Sequence, residues 1–366
     1  MNTWCKDDEK EGSFRGKDIR LMPNKPAFIP FSGILCQERA IEFLKCVISR
    51  GKIPHAYLFA GIPGIGKATT ALALTGAVNC QQQIGGEGCT QCPSCRQIAG
   101  GNFPDLHMIE PDGQNIRIEQ IRDLNRTLAF KPLSGKYRVS IIRQAETMTE
   151  EATNSLLKTL EEPPQNNILI LNVTEPQALS PTIVSRCQKV LFRPIPVPAI
   201  ADWLMVHQSL EKEEAAVLAR ISEGSLGRAL RMCDEGFFKM REEYISDLIK
   251  LSDLNSEQIL ERALQYARKE KKGGADTGNG GADLFDLLSI WKSWYRDLLL
   301  VKLECPSHLL INVDFSRKLQ KMSGHTNIDQ LMESFSILDQ SQRDLLQNRN
   351  LDLMMENTLL SLRRFA

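Results

Sequence analysis

The stretch of sequence that predicts the fold is Tyr57–Thr70, which reads YLFAGIPGIGKATT. An apolar run leads into a glycine-rich turn, and a helical pattern follows the turn. Glycines in such a turn let successive backbone N–H groups point into one concavity, and a lysine at its end can reach the outer phosphates of a nucleotide. We therefore predict a phosphate-binding loop formed by Gly61, Gly64, Gly66 and Lys67.

Two parts of this site depart from the usual pattern. The pattern places Ser or Thr directly after the lysine to hold a magnesium ion, whereas this chain has Ala68 there and Thr69 one residue later. A later apolar strand ends at Arg143 and Gln144, where phosphate-loop ATPases carry acidic residues that orient magnesium and water. Glu146 lies too far along the chain to replace them without a rearranged turn. We expect ATP hydrolysis to be lost or very slow, while ATP could still bind weakly to a vestigial site.

Apolar runs alternate with helical patterns along the first half of the chain. Buried strands are predicted over 55–60, 106–110, 137–142 and 168–173, with amphipathic helices between them. This alternation predicts a mainly parallel sheet with helices on both faces. After a proline-rich linker at 194–198, the remaining sequence is predicted to be helical.

The composition argues against several classes of protein. A chain of 366 residues is long enough for about two or three domains. Lys plus Arg and Asp plus Glu both number 45, so no overall positive charge indicates nucleic-acid binding. The sequence has no apolar run of about 18 residues or more, and residues 1–12 do not resemble a secretory signal. We therefore expect a cytoplasmic protein whose cysteines stay reduced.

Four of the ten cysteines are closely spaced in a glycine-rich segment. Cys80, Cys89, Cys92 and Cys95 have the spacing C-x8-C-x2-C-x2-C, which lets four thiolates converge on one ion. The spacing favours a structural zinc site without an open position for catalysis, and an iron–sulfur cluster is the minor alternative.

Several motifs together resemble the clamp-loader branch of the AAA+ proteins. They are His55–Phe59, the four-cysteine module, Asn102–Asp105, Leu156–Pro164, Ser185–Cys187 and Gly224–Leu230. The resemblance covers about residues 31–230, and the C-terminal part matches only in being helical. It implies an α/β AAA+ module with a zinc-binding insertion, a small helical lid domain and an all-helical C-terminal collar domain.

The resemblance also implies a division of the chain into domains. Residues 1–27 are expected to form a disordered tail and residues 28–197 the AAA+ nucleotide-binding-like domain. The helical lid is expected over 198–242, and the collar, which would mediate oligomerisation, over 243–366. A lysine- and glycine-rich segment inside the collar, 269–283, is predicted to be a flexible loop.

The resemblance implies roles for two arginines. Arg186 of the Ser-Arg-Cys motif matches the arginine finger that reaches the ATP site of a neighbouring motor subunit and acts there in trans. Arg228 matches the lid arginine that senses nucleotide in an active subunit. The implied partners are the gamma/tau motor subunits and the delta subunit, and through the complex also the sliding clamp and primed DNA.

The departures at Ala68, Arg143 and Gln144 distinguish members of this family, because a motor subunit should carry a hydroxyl and acids at these positions. They favour a non-hydrolysing stator that helps to load the clamp during DNA replication. The alternative is an autonomous AAA+ ATPase, such as a motor-type subunit or a DNA-repair switch, that uses Thr69 and Glu146 in shifted roles. A weaker hypothesis is that the zinc module binds DNA, although Arg96 is the nearby cation in that loop.

Overall fold

The computed structural model describes residues 28–233, 236–276, 284–324, 326–346 and 349–364. The tail predicted over 1–27 lies outside the described residues. Within these residues, five strands form one sheet: β1 Ala56–Ala60, β2 Leu106–Ile109, β3 Arg138–Ile142, β4 Asn167–Val173 and β5 Gln188–Leu191. Their order across the sheet is β2-β3-β4-β1-β5, and every neighbouring pair is parallel.

The fifth strand was not predicted from the sequence. β5 lies at the edge of the sheet beside β1, and Val190 is its buried residue while Gln188, Lys189 and Leu191 are exposed. An edge strand of this kind needs no continuous apolar run, because one of its two sides faces solvent. The four predicted strands, by contrast, correspond to β1 to β4.

The helices of the first half are α1 Glu38–Ser49, α2 Lys67–Asn79, α3 Pro93–Ala99, α4 Ile118–Leu128, α5 Glu150–Glu161 and α6 Pro181–Arg186. Successive side chains of a strand point to opposite faces of its sheet. Tyr57 and Phe59 of β1 therefore pack into a core cluster with α1 and α2, whereas Leu58 packs into a second cluster with α4 and α5. The predicted parallel sheet with helices on both faces is confirmed.

The second half is mostly helical. Its helices are α7 Val197–Gln208, α8 Lys212–Ile221, α9 Leu226–Arg231, α10 Phe237–Ile249, α11 Ser256–Asp276, α12 Leu284–Lys302, α13 Ser316–Ser323, α14 Ile328–Leu346 and α15 Leu351–Arg363. Trp291 and Trp294 of α12 are almost fully buried, and Trp291 Nε1 donates a hydrogen bond to the Tyr244 carbonyl at 2.9 Å. Among the helices that the structure describes, none has the length and apolarity needed to cross a membrane.

Two boundaries in this half differ from the sequence prediction. The flexible loop predicted over 269–283 is wrong for its first part, because α11 continues to Asp276, and residues 277–283 lie outside the described residues. Each glycine in a helix costs only about 1 kcal/mol relative to alanine, and the neighbouring lysines and glutamate are good helix formers. The domain boundary predicted between 242 and 243 falls inside α10, and the domain limits stay predictions.

A buried ion pair fixes the loop that precedes β3. The side chains of Asp105 and Arg138 are 0% and 3% exposed and lie 3.3 Å apart. Asp105 accepts hydrogen bonds from the backbone N–H groups of residues 133–135 at 2.7, 2.7 and 2.8 Å. Arg138 donates to the carbonyls of Phe130 and Lys131 at 2.7 and 3.0 Å. The aspartate of the Asn102–Asp105 motif is thus a structural anchor.

Replacing this anchor should destabilise the protein strongly. Asp105→Ala leaves Arg138 buried without its counter-ion, and we expect the free energy of unfolding to fall by about 3–5 kcal/mol in urea denaturation. Burial raises the pKa of Asp105, but the three backbone donors and Arg138 hold it below its usual value of 3.8. The difference in free energy of unfolding between the wild type and the variant should therefore be largest above pH about 4 and disappear as the pH falls further. Asp123→Ala, which removes an exposed pair with Arg126, is the control and should cost less than about 1 kcal/mol.

Candidate functional site: the phosphate loop, Arg186 and a four-cysteine cluster

The phosphate loop lies between β1 and α2. β1 occupies an inner position of the sheet, between β4 and β5, and the loop leaves its carboxyl end. Gly66 caps α2 with φ +106°, and Gly64 has φ +74°, a region that side chains disfavour. Ala68 and Thr69 lie in the first turn of α2 and are half-buried. The sequence therefore produces the loop geometry that the glycines predict.

Lys67 is folded over its own loop. Its Nζ atom donates to the carbonyl oxygens of Gly61 and, at 3.0 Å, of Ile62. Burial lowers the pKa of Lys67 to about 8, while Glu146 raises it and Arg143 lowers it further. A phosphate that binds at Lys67 must therefore replace two carbonyl acceptors.

The end of β3 carries a positive group. Arg143 pairs with Glu110, the residue that follows β2. Gln144 then adopts φ +52°, and a short 3-10 turn over Ala145–Thr147 follows. Glu146 needs a rearranged turn of this kind in order to return to the site.

Glu146 lies close enough to Lys67 to influence its pKa. Its Oε1 atom accepts hydrogen bonds from the backbone N–H and the hydroxyl of Thr174 at 3.0 and 2.8 Å. Its Oε2 atom is buried and has no hydrogen-bond partner among the described residues. The site thus keeps one carboxylate near the lysine, but on a different element from the acids that were expected.

Residues at the start of α9 pack directly on the phosphate loop. Ser225 Oγ donates to the Pro63 carbonyl at 2.8 Å, and the Gly227 N–H donates to the Gly64 carbonyl at 2.8 Å. A Cβ atom on Gly64 would lie 2.5 Å from Ser225 Oγ, so a side chain there would separate the loop from α9. Ser225 belongs to the Gly224–Leu230 motif, but no local sequence pattern predicts its contact with the loop.

Arg228 contributes to this contact through its backbone. Its N–H donates to Ser225 Oγ at 3.2 Å. Its guanidinium lies over the Phe285 ring, and its Nε donates to Asp286 at 2.8 Å, with side chains 6% and 5% exposed. Nη1 lies 3.5 Å from Glu223, and Nη2 is buried without a partner among the described residues. The predicted nucleotide-sensing arginine therefore contacts α12, and no local sequence signal indicated Asp286.

Arg186 is the last residue of α6 and lies at the surface. Its side chain is 34% exposed. Nη2 donates to Glu161 Oε1 at 2.8 Å, and Nη1 donates to the Thr182 carbonyl at 3.0 Å. Glu161, the last residue of α5, lies in the recognised Leu156–Pro164 motif, but the sequence gave no reason to pair it with Arg186.

The four predicted cysteines come together. Their sulfur atoms all lie within 4.8 Å of one another, and Cys80 Sγ is 3.9 Å from Cys92 Sγ. Four sulfurs at about 2.3 Å from a tetrahedral zinc ion would be about 3.8 Å apart, so the cluster fits such an ion. Cys80 follows α2 directly, and Cys92 caps α3, which contains Cys95. One helix, α2, therefore connects the phosphate loop to a cluster that could bind a metal ion.

The parallel sheet, the phosphate loop after β1 and the helices on both faces define an AAA+ module. Residues 36–196 match the family model described as DNA polymerase III, delta subunit. The chain is also 30% identical to the DNA polymerase III subunit delta' of Haemophilus influenzae over 312 residues. This aligned region covers 84% of this chain and 90% of that protein. The chain therefore belongs to the clamp-loader family that includes the delta', gamma and tau subunits of DNA polymerase III.

Two proteins of Bacillus subtilis are similar over different lengths. Its subunit delta' is 39% identical over 186 residues, which cover 51% of this chain and 56% of the relative. Its subunit tau is 29% identical over 333 residues, which cover 86% of this chain and 58% of the relative. The chain thus spans less than two thirds of either protein. A solved gamma-subunit-related protein of Thermotoga maritima aligns with 88% of this chain and 98% of its own at 21% identity, with a TM-score of 0.42.

The lowered pKa of Lys67 can be measured directly. Its reaction with an amine-acylating reagent can be followed by mass spectrometry and normalised to that of the exposed Lys52. We expect the pH dependence of this reaction to have its midpoint at about pH 8, because burial disfavours the charged form of Lys67. Inorganic phosphate that binds the loop should move this midpoint upward, since an anion favours the charged lysine. A midpoint near the ordinary value of 10.5 would contradict the buried position.

Proposed function

We propose that this chain acts as a delta' subunit of a DNA polymerase III clamp loader. In this role it does not hydrolyse ATP, and it supplies Arg186 as an arginine finger to ATP bound by a neighbouring gamma/tau motor subunit. The complex, which would also contain a delta subunit, opens the sliding clamp and places it on primed DNA. A place in the cytoplasmic replisome follows from this role.

The observation that carries this proposal is Arg143 at the end of β3. A magnesium ion at the phosphate loop needs anionic or hydroxyl oxygen ligands. Arg143 instead stands where an acid should be and already pairs with the carboxylate of Glu110, and the loop has Ala68 where the hydroxyl should be. Nucleotide phosphates can still bind the backbone N–H groups and Lys67, but the ion that supports hydrolysis is disfavoured.

The surface position of Arg186 supports the second part of the proposal. A finger that acts in trans has to be accessible to another subunit, and Arg186 ends a surface helix with a third of its side chain exposed. One relative that is similar over most of both chains, the Haemophilus influenzae protein, is a delta' subunit.

An autonomous ATPase is the second candidate, and Glu146 favours it. Its carboxylate lies near Lys67 and keeps Oε2 without a partner among the described residues, so it could orient a metal ion or a water molecule together with Thr69. The two hydrogen bonds from Thr174 argue against this role, because they already compensate part of the negative charge of Glu146.

Arg186→Ala should remove the proposed arginine finger without disturbing the fold. In a complex reconstituted with gamma/tau and delta subunits, we expect ATP turnover at the site completed by Arg186 to fall by about 10³-fold or more, with assembly preserved. DNA-stimulated steady-state ATPase and size-exclusion chromatography measure the two effects. Arg50→Ala, at an exposed arginine after α1, is the matched control. Unchanged turnover in the Arg186→Ala complex would refute the finger.

We also propose that the cysteine cluster holds one structural zinc ion. All four coordination positions are filled by protein, so the ion would stabilise the segment that follows α2 without taking part in a reaction. Exposed Arg96 is a single cation in α3 and gives little support for DNA binding by this module.

Metal analysis tests the zinc site. We expect about one zinc per chain, and Cys95→Ser should lose the metal and lower the melting temperature, because three thiolates bind zinc more weakly than four. Cys187→Ser, at a buried cysteine outside the cluster, should retain the metal. Iron with visible absorbance in the purified protein would instead support an iron–sulfur cluster.

A further inference from the structure

We infer that Glu161 is a positioning residue that holds Arg186 in a retracted position until a neighbour's phosphate displaces it. This inference rests on the proposed role of Arg186 as a finger that acts in trans. It adds that the isolated subunit does not present the finger in an extended form. The carboxylate of Glu161 then sets how readily Arg186 becomes available.

The geometry shows the retracted position. Arg186 is the last residue of α6, yet its Nη1 atom donates at 3.0 Å to the carbonyl of Thr182, one turn earlier in the same helix. Helical side chains generally lean toward the N-terminus of their helix. The guanidinium therefore lies back along α6, and Nη2 completes the arrangement by donating to Glu161 Oε1 at 2.8 Å. To reach another subunit, the side chain has to leave both acceptors.

Electrostatics favour the pair in the isolated subunit. Glu161 is the last residue of α5, where the partial negative charge of the helix end disfavours a carboxylate. The Arg186 guanidinium compensates this charge. Both side chains are partly exposed, at 34% and 51%, so solvent weakens the pair and it can open without a large barrier.

A bound nucleotide offers a better partner. The terminal phosphate of ATP carries more negative charge than one carboxylate and has several acceptor oxygens, and arginine binds phosphate in a bidentate manner. Exchange from Glu161 to phosphate is therefore favourable once a neighbouring subunit brings its nucleotide within reach. Before that, Glu161 competes with the phosphate and lowers the fraction of extended Arg186.

Glu161→Gln tests this competition. The amide has nearly the same shape but no charge, so the finger should extend more often. In the reconstituted complex without DNA, we expect kcat for ATP to rise about 2- to 5-fold, which is the range of a partly exposed ion pair. The Michaelis constant for ATP should not rise, because Glu161 no longer competes with the phosphate for Arg186, and the DNA-stimulated maximum should stay unchanged. Glu162→Gln, at the adjacent exposed glutamate, is the matched control and should leave the rate without DNA unaltered.

A double variant shows whether the effect passes through Arg186. If Glu161 acts by holding the guanidinium, Glu161→Gln should change nothing in the Arg186→Ala background, a result that a merely structural role would not produce. A higher rate in that background would overturn the inference, and so would a fall or no change of the rate in the single variant. If Arg186→Ala lowers turnover while Glu161→Gln has no effect, the role of Arg186 as a finger is supported and only the holding role of Glu161 is refuted. If Arg186→Ala itself has no effect, both proposals fail.

Discussion

The contact between the phosphate loop and the start of α9 is the constraint on which the rest of the site depends. Four consecutive loop carbonyls are engaged by the protein itself: those of Gly61 and Ile62 by Lys67, that of Pro63 by Ser225 and that of Gly64 by the Gly227 N–H. The approach requires glycine on both sides, because a Cβ atom on Gly227 would lie 2.9 Å from the Gly64 Cα atom. The loop therefore fixes the position of the following helices as well as offering a place for phosphate.

Charge explains why such a well-formed loop need not belong to an ATPase. Hydrolysis depends on a magnesium ion beside the terminal phosphate, and this depends on nearby oxygen ligands. In this chain the charge at the end of β3 is that of Arg143, neutralised by Glu110, and the carboxylate of Glu146 accepts two hydrogen bonds from Thr174. The group that we propose to act on another subunit is the guanidinium of Arg186, which lies at the surface. This distribution suits a subunit that completes the active site of a neighbour.

Features that depend on local sequence were predictable, and features that depend on distant contacts were not. The strand, glycine turn and helix at 55–79, and the convergence of four cysteines, follow from spacing alone. The contact of Ser225 with Pro63 joins residues 162 positions apart, and that of Arg228 with Asp286 joins residues 58 apart, so no local pattern indicates either. β5 was missed because an edge strand lacks an apolar run, and the extension of α11 because the glycines of 269–276 outweighed their helix-forming neighbours in the prediction.

The phosphate loop of this chain is proposed not to support hydrolysis. The direct test is steady-state ATP turnover by the purified chain alone, with magnesium present and no other subunit. We expect turnover far below the ordinary enzyme range, because Ala68 and Arg143 would leave a metal ion without its usual ligands. A rate of about 1 s⁻¹ or more would contradict it and would establish Glu146 and Thr69 as parts of an active site.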